Sequence, residues 1–358
     1  MNHLELFAGI GGFRKAMDYI SHDLNCEIKT IGFSEIDGKA IASYRANYDT
    51  EGEIALGDIV EFVSSKNNIR ALGNSINIIS GGFPCQTFSM MGGKKGFDEE
   101  RGQMFFKIMD IVNNLPQKPQ YLLLENVKNL RSHDKGNTIS VIQEELNTAG
   151  YLSKIDVFNS ADYGLPQTRN RVIIFARLKG LGNFEFSNAK VKHHFDQLNL
   201  SKLSIAFYAN VLDILDKEVD GKYYLSERIK PTILSDGSGS FKSKSEIDLM
   251  VARPLTATMH KMHRACQDNY YSNSFIRSGG QIRPSENMGK NELAKEAIRK
   301  LTPKEAFMLQ GFPSNFAHKA FLAKVANGAM YKQAGNAVSV NTIYAVLRYL
   351  IDNKVIEI

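Results

Sequence analysis

LFAGIGGF, residues 6–13, decides the fold class. Its apolar start reads as the end of a short strand, its glycines as a tight turn, and the stretch Phe13 to Ile20 that follows as a helix. A strand that runs through such a turn into a helix aims backbone N–H groups and a helix N-terminus at a ligand. The spacing Gly9-Ile10-Gly11-Gly12 is not GxGxxG, and GxxxxGK[ST] is absent, which disfavours dinucleotides and nucleoside triphosphates. A plain strand-to-helix turn without a ligand stays open at this point.

Outward from this turn, apolar runs alternate with helical segments: Leu4 to Phe7, Lys29 to Ser34 and then Lys39 to Asn47, Ile76 to Ser80 and then Met104 to Asn113, Tyr121 to Leu124 and then Thr138 to Ala149. Two further runs, Tyr151 to Phe158 and Arg171 to Ala176, add strands. INIIS and YLLLE are apolar on both faces, as strands of a parallel sheet covered by helices are, and the rhythm predicts an α/β, doubly wound sheet. After Arg177 the rhythm gives way to polar, Gly/Ser-dotted sequence such as SDGSGSFKSKSE (235–246), read as a second, smaller, mostly irregular or β domain. Thr302, Pro303 and Glu305 spell a capped helix start, and an apolar helix from Val340 to Ile351 ends the pattern.

Composition narrows the class. The chain has 358 residues, is 43% hydrophobic, and carries a formal charge of +6, which is compatible with a polyanionic partner. From Lys222 to Arg283 there are ten Lys and Arg against five Asp and Glu, so the basic excess is concentrated in the irregular part. With neither a basic leader segment nor a run of about 18 apolar residues, the sequence is expected to be cytosolic and away from membranes. Its 3 cysteines, Cys26, Cys85 and Cys266, have neither zinc nor disulfide spacing, so no metal is expected and any thiol chemistry belongs to one residue.

Four places carry candidate chemistry. Glu35 follows the second strand, where an acid can hold ribose hydroxyls, and Asp58 in GDI follows the third, where it can meet an exocyclic amine; with Phe7 they outline an adenosine pocket, though either acid alone can be a helix cap. Cys85 in SGGFPCQTFS (80–89) sits just past a strand end in a loop of Gly, Pro and polar residues that presents its side chain. Glu125-Asn126 ends the apolar strand LLLENV, where a buried carboxyl gains a raised pKa and can act as an acid. In QTRNR (167–171) Arg169 and Arg171 alternate onto one face, a pair able to grip phosphates or a carboxylate with a base oxygen.

In this order, FAGIGG, Glu35, GDI, FPCQTFS, RGQMFF (101–106), ENVKNL, YGLPQTRNR, RKLTPKEAFMLQGFP (299–313) and QAGNAVSVNTI (333–343) resemble nearly the full motif series of the C5-cytosine DNA methyltransferases of bacterial restriction-modification systems. The resemblance covers about 3–177 and 299–343; residues 181–298 have no counterpart, as expected where the family's target-recognition domain varies. It implies a Rossmann-like S-adenosylmethionine-dependent sheet, with a catalytic and cofactor-binding domain over 1–180, a target-recognition domain over 181–327, and a C-terminal segment, 328–358, returning to the first.

The resemblance also implies roles. Cys85 would attack C6 of a flipped-out cytosine, Glu125 would hold or protonate N3, and Arg171, with Arg169 beside it, would contact O2 and the glutamate. S-Adenosylmethionine would lie against Phe7, Gly9, Ile10, Gly11, Glu35, Ile36, Asp58, Ile59, Pro84, Met104, Asn336 and Ala337. Gln86 and Ser89 in the cysteine loop, and Arg253, Thr256, Lys261, His263 and Arg264 in ARPLTATMHKMHR (252–264), would meet double-stranded DNA, most of the cations at phosphates. Glu5, Ile36 and Phe307 depart from the family's usual aspartate, aromatic and smaller residue. A monomer is expected, with a cognate restriction endonuclease acting on the same site. Three other readings are a tRNA cytosine methyltransferase, a silent DNA-binding relative and a nucleotide-dependent oxidoreductase; the long insert, the intact Cys85, Glu125, Arg169 and Arg171, and the missing pyrophosphate fingerprint speak against them in turn.

Overall fold

The structure is a computed structural model that describes residues 1–73, 75–84, 104–237 and 242–358. The first half alternates as its sequence pattern does: β1 (Asn2–Leu6), α1 (Gly12–Asp23), β2 (Lys29–Phe33), α2 (Gly38–Asn47), β3 (Ile54–Ala55), α3 (Ile59–Val63), α4 (Lys66–Ala71), β4 (Ile78–Gly82), α5 (Met104–Asn114), β5 (Tyr121–Val127), α6 (Asn137–Thr148), β6 (Tyr151–Asn159) and β7 (Asn170–Leu178). The seven strands form one sheet in the order β3-β2-β1-β4-β5-β7-β6. Strand order reverses between β1 and β4, and such a switch point opens a crevice beyond the carboxyl ends of the strands.

Both faces of the sheet are covered at its centre, which is why the middles of β5 and β7 and the start of β4 are apolar on both faces. Ile78, Tyr121, Leu123, Ile173 and Phe175 pack into one core with Phe13, Met17 and Ile20 of α1; Ile79, Leu122, Leu124, Val172 and Ile174 pack into the other with Ile108, Val112 and Ile142. β1 to β5 pair in parallel, as the doubly wound reading expects. β7 runs antiparallel to both β5 and β6, giving a mixed sheet.

Beyond β7 come α7 (Asn188–Asp196), α8 (Lys230–Leu234), β8 (Tyr270–Ser272), α9 (Asn273–Arg277), α10 (Pro284–Asn287), α11 (Lys290–Leu293) and β9 (Ile298–Lys300). The only described sheet here is the three-residue pairing of β8 with β9, and a small separate core gathers Leu225, Ile233, Leu234, Ile247, Tyr270, Leu293 and Ile298. The chain then re-enters the larger core through α12 (Pro303–Met308), α13 (Phe316–Leu322), α14 (Asn327–Asn336) and α15 (Val340–Asp352). α12 starts as its sequence dictates: Thr302 caps the Glu305 amide while the Glu305 carboxylate takes the Thr302 N–H. Phe307 is fully buried between Phe312 and Phe316.

Candidate active site

Glycine and one strained residue shape the turn after β1. Phe7 has φ 53°, Gly9 φ 55° and Gly11 φ 77°, so a non-glycine residue shares a left-handed stretch that costs on the order of 1 kcal/mol or more. Tyr48 holds the turn from behind, its hydroxyl 2.7 Å from the Gly11 carbonyl, and a Cβ on Gly11 would lie 2.5 Å from the Tyr48 ring. A Cβ on Gly9, by contrast, would meet nothing within 4 Å. The loop is closed on the Tyr48 side and open at Gly9.

Glu35, after β2, ties the two neighbouring strand ends together. Its Oε2 accepts from the Gly9 amide at 2.8 Å, and its Oε1 from the Ile36 and Asp37 amides, each at 2.8 Å. Three main-chain donors fix the carboxylate without occupying every lone pair, so Oε2 retains acceptor capacity. Beside it the Ile36 side chain is 73% exposed.

At the other end of the same crevice stands Glu125. It pairs in register with Gly82 of β4 on one side and with Ile173 of β7 on the other, while Val127 pairs with Arg171. Glu125 and Arg171 are thus diagonal neighbours on one face of an antiparallel pair, within reach of a long side chain. Arg171 Nε donates to Glu125 Oε1 at 2.9 Å. Burial pushes the Glu125 carboxyl above its usual range, and the Arg171 and Arg169 guanidiniums act against that rise. Next to it, Asn126 Nδ2 donates to the Phe83 carbonyl at 2.9 Å, fastening the end of β5 to the chain that leads from β4.

These two ends share one cleft of about 750 Å³, lined among others by Phe7, Gly9, Ile10, Glu35, Ile36, Pro84, Glu125, Arg169, Arg171, Asn336 and Ala337. Eleven of the expected catalytic and cofactor residues therefore meet in a single cavity. Gly11, Asp58, Ile59 and Met104 are not among its described walls. Gly11 faces Tyr48; Asp58 caps α3, its Oδ1 accepting from the Val60 amide at 2.8 Å; Ile59 is core; Met104 packs beside the core under β4 and β5. Cys85, Gln86 and Ser89 lie outside the described residues, which stop at Pro84 on the wall of the cleft.

Arg169 lines the same cleft as Arg171, with its guanidinium engaged by main-chain carbonyls. It is 2% exposed, and its two terminal nitrogens donate to the carbonyls of Leu255, Gly335 and Ala337 at 2.9–3.0 Å. Among the recognition candidates, Lys261 is exposed; Arg253 donates to the Glu246 carbonyl at 3.0 Å; His263 Nδ1 lies 3.1 Å from Asp268; and the Thr256 hydroxyl oxygen is buried with no partner among the described residues.

The sequence reading missed Asp37, Lys332 and Gln333. Lys332 Nζ donates to Asp37 Oδ2 at 2.8 Å across the cleft wall and holds that carboxyl below the usual range, and Gln333 bridges Ser43 and the Lys39 carbonyl. Asp37 signals only a cap for α2, and nothing local links it to a helix 295 residues away.

A glycine turn, an anchored acid and a carboxylate–guanidinium pair in the crevice of this mixed sheet define the S-adenosylmethionine-dependent methyltransferase architecture. Solved structures share the fold: the methyltransferase EhMeth of Entamoeba histolytica at TM-score 0.74, with 22% identity over 99% of this chain and 98% of that one, and the Dnmt2 methyltransferase of S. pombe at TM-score 0.72, with 19% identity over 99% of both. The family model described as C-5 cytosine-specific DNA methylase matches residues 1–352. Among curated relatives, the type II methyltransferase M.NlaX of Neisseria lactamica is 35% identical over 96% of this chain and 94% of its own, and M.HpaII of Haemophilus parainfluenzae is 31% identical over 98% and 88%. The chain belongs to the C-5 cytosine-specific DNA methylase family, and its enzyme class is DNA (cytosine-5-)-methyltransferase.

Proposed function

We propose that this enzyme transfers a methyl group from S-adenosylmethionine to C5 of a cytosine flipped out of a short specific sequence in duplex DNA. It would act as a cytoplasmic monomer that protects sites in a type II restriction-modification system. The observation that carries the reading is the single cleft holding the Glu35-anchored glycine turn at one end and the buried Glu125–Arg171 pair at the other.

The residues present fit an adenosyl ligand. Gly9 leaves open space at the turn, Glu35 Oε2 can accept from a ribose hydroxyl, and exposed Ile36 offers an apolar surface to a purine. When bound, S-adenosylmethionine supplies an electrophilic methyl group for the activated C5. The protein's part is to create that activation. Cys85, as thiolate, adds to C6 and pushes an electron pair into the ring; Glu125, kept protonated more readily by its burial, hydrogen-bonds N3 and accommodates the charge there. Arg171 fixes the carboxyl orientation and retains donors for O2. After methylation, loss of the C5 proton and departure of the Cys85 sulfur restore the aromatic ring. Extruding the base costs a few kcal/mol, which contacts from the basic recognition region offset.

The test is transfer of labelled methyl from S-adenosylmethionine to unmethylated duplex DNA, with Cys85→Ser alongside and bisulfite sequencing of the product. Label in cytosine at one short sequence, lost in Cys85→Ser, is the expected result. Label that persists in the serine variant, or that appears only in RNA, overturns it.

A further inference from the structure

The segment entering β7 does more than deliver Arg171. Gln167 is fully buried, and its side chain reaches in two directions: Oε1 accepts from the Leu255 amide at 2.9 Å, while Nε2 donates to the Leu309 carbonyl at 2.9 Å. Two residues on, Arg169 takes the carbonyl of that same Leu255 at 3.0 Å and also the Gly335 and Ala337 carbonyls. Both peptide groups of Leu255 are therefore held by side chains of one short stretch. The backbone adds two further bonds, from the Thr168 amide to the Ala252 carbonyl and from the Ala252 amide to the Pro166 carbonyl, in a parallel bridge between Gln167 and Ala252. From the opposite side Gly335 comes so close that a Cβ would sit 2.2 Å from the Thr256 carbonyl carbon.

Residues 252–256 are thus clamped between the entry to β7 and the end of α14, and the next alternate residue after Gln167 and Arg169 is Arg171, the partner of Glu125. We propose that Gln167 is a positioning residue that, with Arg169 and Gly335, fixes the register of the segment 252–264 relative to the Glu125–Arg171 pair, so that a misread DNA site reaches the cleft with its base displaced from the catalytic acid. The inference rests on the reading of 252–264 as part of the recognition element. Gln167 is fully buried outside the cleft lining, and Gly335, which has no side chain, sits on the cleft wall; both act on register through backbone that is bonded on both sides. Leaving the buried Leu255 amide without an acceptor costs what an unmade buried hydrogen bond costs, and the segment shifts rather than the sheet.

The experiment compares wild type with Gln167→Leu, Gln167→Glu and Gly335→Ala on a duplex library carrying the site found for wild type and all its single mismatches, read by bisulfite sequencing. Rates are expressed per folded molecule, and thermal melts are run in parallel. Gln167→Glu keeps the acceptor for Leu255 and removes the donor to Leu309, so it stays informative if Gln167→Leu does not fold. Gln167→Leu is expected to lower the ratio of cognate to mismatched methylation about tenfold, with a fall in kcat and an unchanged KM for S-adenosylmethionine, and Gly335→Ala, on the cleft wall, to lower the ratio to the same extent. Gln167→Glu is expected to keep most of that ratio. Variants that melt earlier yet keep wild-type discrimination and kcat per folded molecule overturn the proposal. Absence of any DNA methylation by wild type would instead overturn the functional reading on which it rests.

Discussion

The seven-stranded sheet and the region between α7 and α12 are held together by different means. In the sheet, backbone pairs with backbone, strand against strand, and side chains are left to pack. In the second region side chains take over the backbone's bonds. Asp248 accepts from the Ser272 amide, Asn269 from the Arg253 amide, Asp268 from the His263 amide and Asp236 from the Ser245 amide, while Lys290 donates to the Leu234 and Ser245 carbonyls. A ladder is periodic and tolerates substitution at any one rung. A scaffold of individual polar residues is not periodic, and each residue has its own task. The first is a framework set by the strand order, the second one built residue by residue.

If this contrast is right, changes in the cleft should alter the rate while the rest of the protein stands. Glu125→Gln preserves the acceptor for Arg171 and removes the titratable acid. Its kcat is expected to fall by about 10²–10⁴, with S-adenosylhomocysteine affinity by calorimetry at the wild-type value. Loss of that affinity as well would mean that the two ends of the cleft are not independent.

The joint between the regions should matter next. Arg299 of β9 and Glu305 of α12 are a buried pair at 2.8 Å, with side chains 1% and 0% exposed, and both also bond the backbone at Asp216. Arg299→Met strands a buried carboxylate, so denaturant unfolding is expected to show a loss of about 3–5 kcal/mol. A loss below about 1 kcal/mol, the worth of an exposed pair, would show that the regions are joined elsewhere.

A smaller effect concerns pH. Glu5 is fully buried behind the glycine turn, and burial pushes its carboxyl up to about 8. The folded protein therefore binds this proton more tightly than the unfolded chain. The sign follows: the group's contribution to stability is complete below its ordinary value of 4.5 and is lost as pH rises through about 8. Between pH 5 and 8 the melting temperature of wild type should drop relative to Glu5→Gln, which has no proton to lose. Parallel pH curves for the two proteins would remove Glu5 as the cause.

The smallest expected change is local. Lys290→Met removes the ammonium that gathers the Leu234 and Ser245 carbonyls and Asp236. Hydrogen exchange should quicken at the Ser243 and Ser245 amides, which bond Asp236, while amides of the sheet stay protected. Faster exchange in β4 or β5 would erase the distinction between the two regions.

The same contrast explains what could be read in advance. Strands and helices of the first half announce themselves because a side chain's face follows from its position in a repeat, and α12 does so because a capping box is a local chemical signal. The polar scaffold between α7 and α12 gives no such sign, since an aspartate that will bond an amide 24 residues away looks like any other aspartate. The direction of β7 was equally silent. An apolar run reads the same in either direction, yet only the antiparallel course brings the start of β7, with Arg171, to the end of β5 that carries Glu125.

By itself, then, the sequence determined the alternating sheet, the glycine turn, the order of the motifs and the residue types that can do the chemistry, because each of these is written in short-range spacing. Only the tertiary structure decided that Glu35 braces Gly9, that Asp58 caps a helix away from the cleft wall, that Arg169 spends its guanidinium on the Leu255, Gly335 and Ala337 carbonyls, and that Lys332 pairs with Asp37. Apart from the Asp58 cap, those are contacts between residues from 26 to 295 positions apart, and their formation depends on which strand neighbours which and in what direction, a property of the packed sheet as a whole.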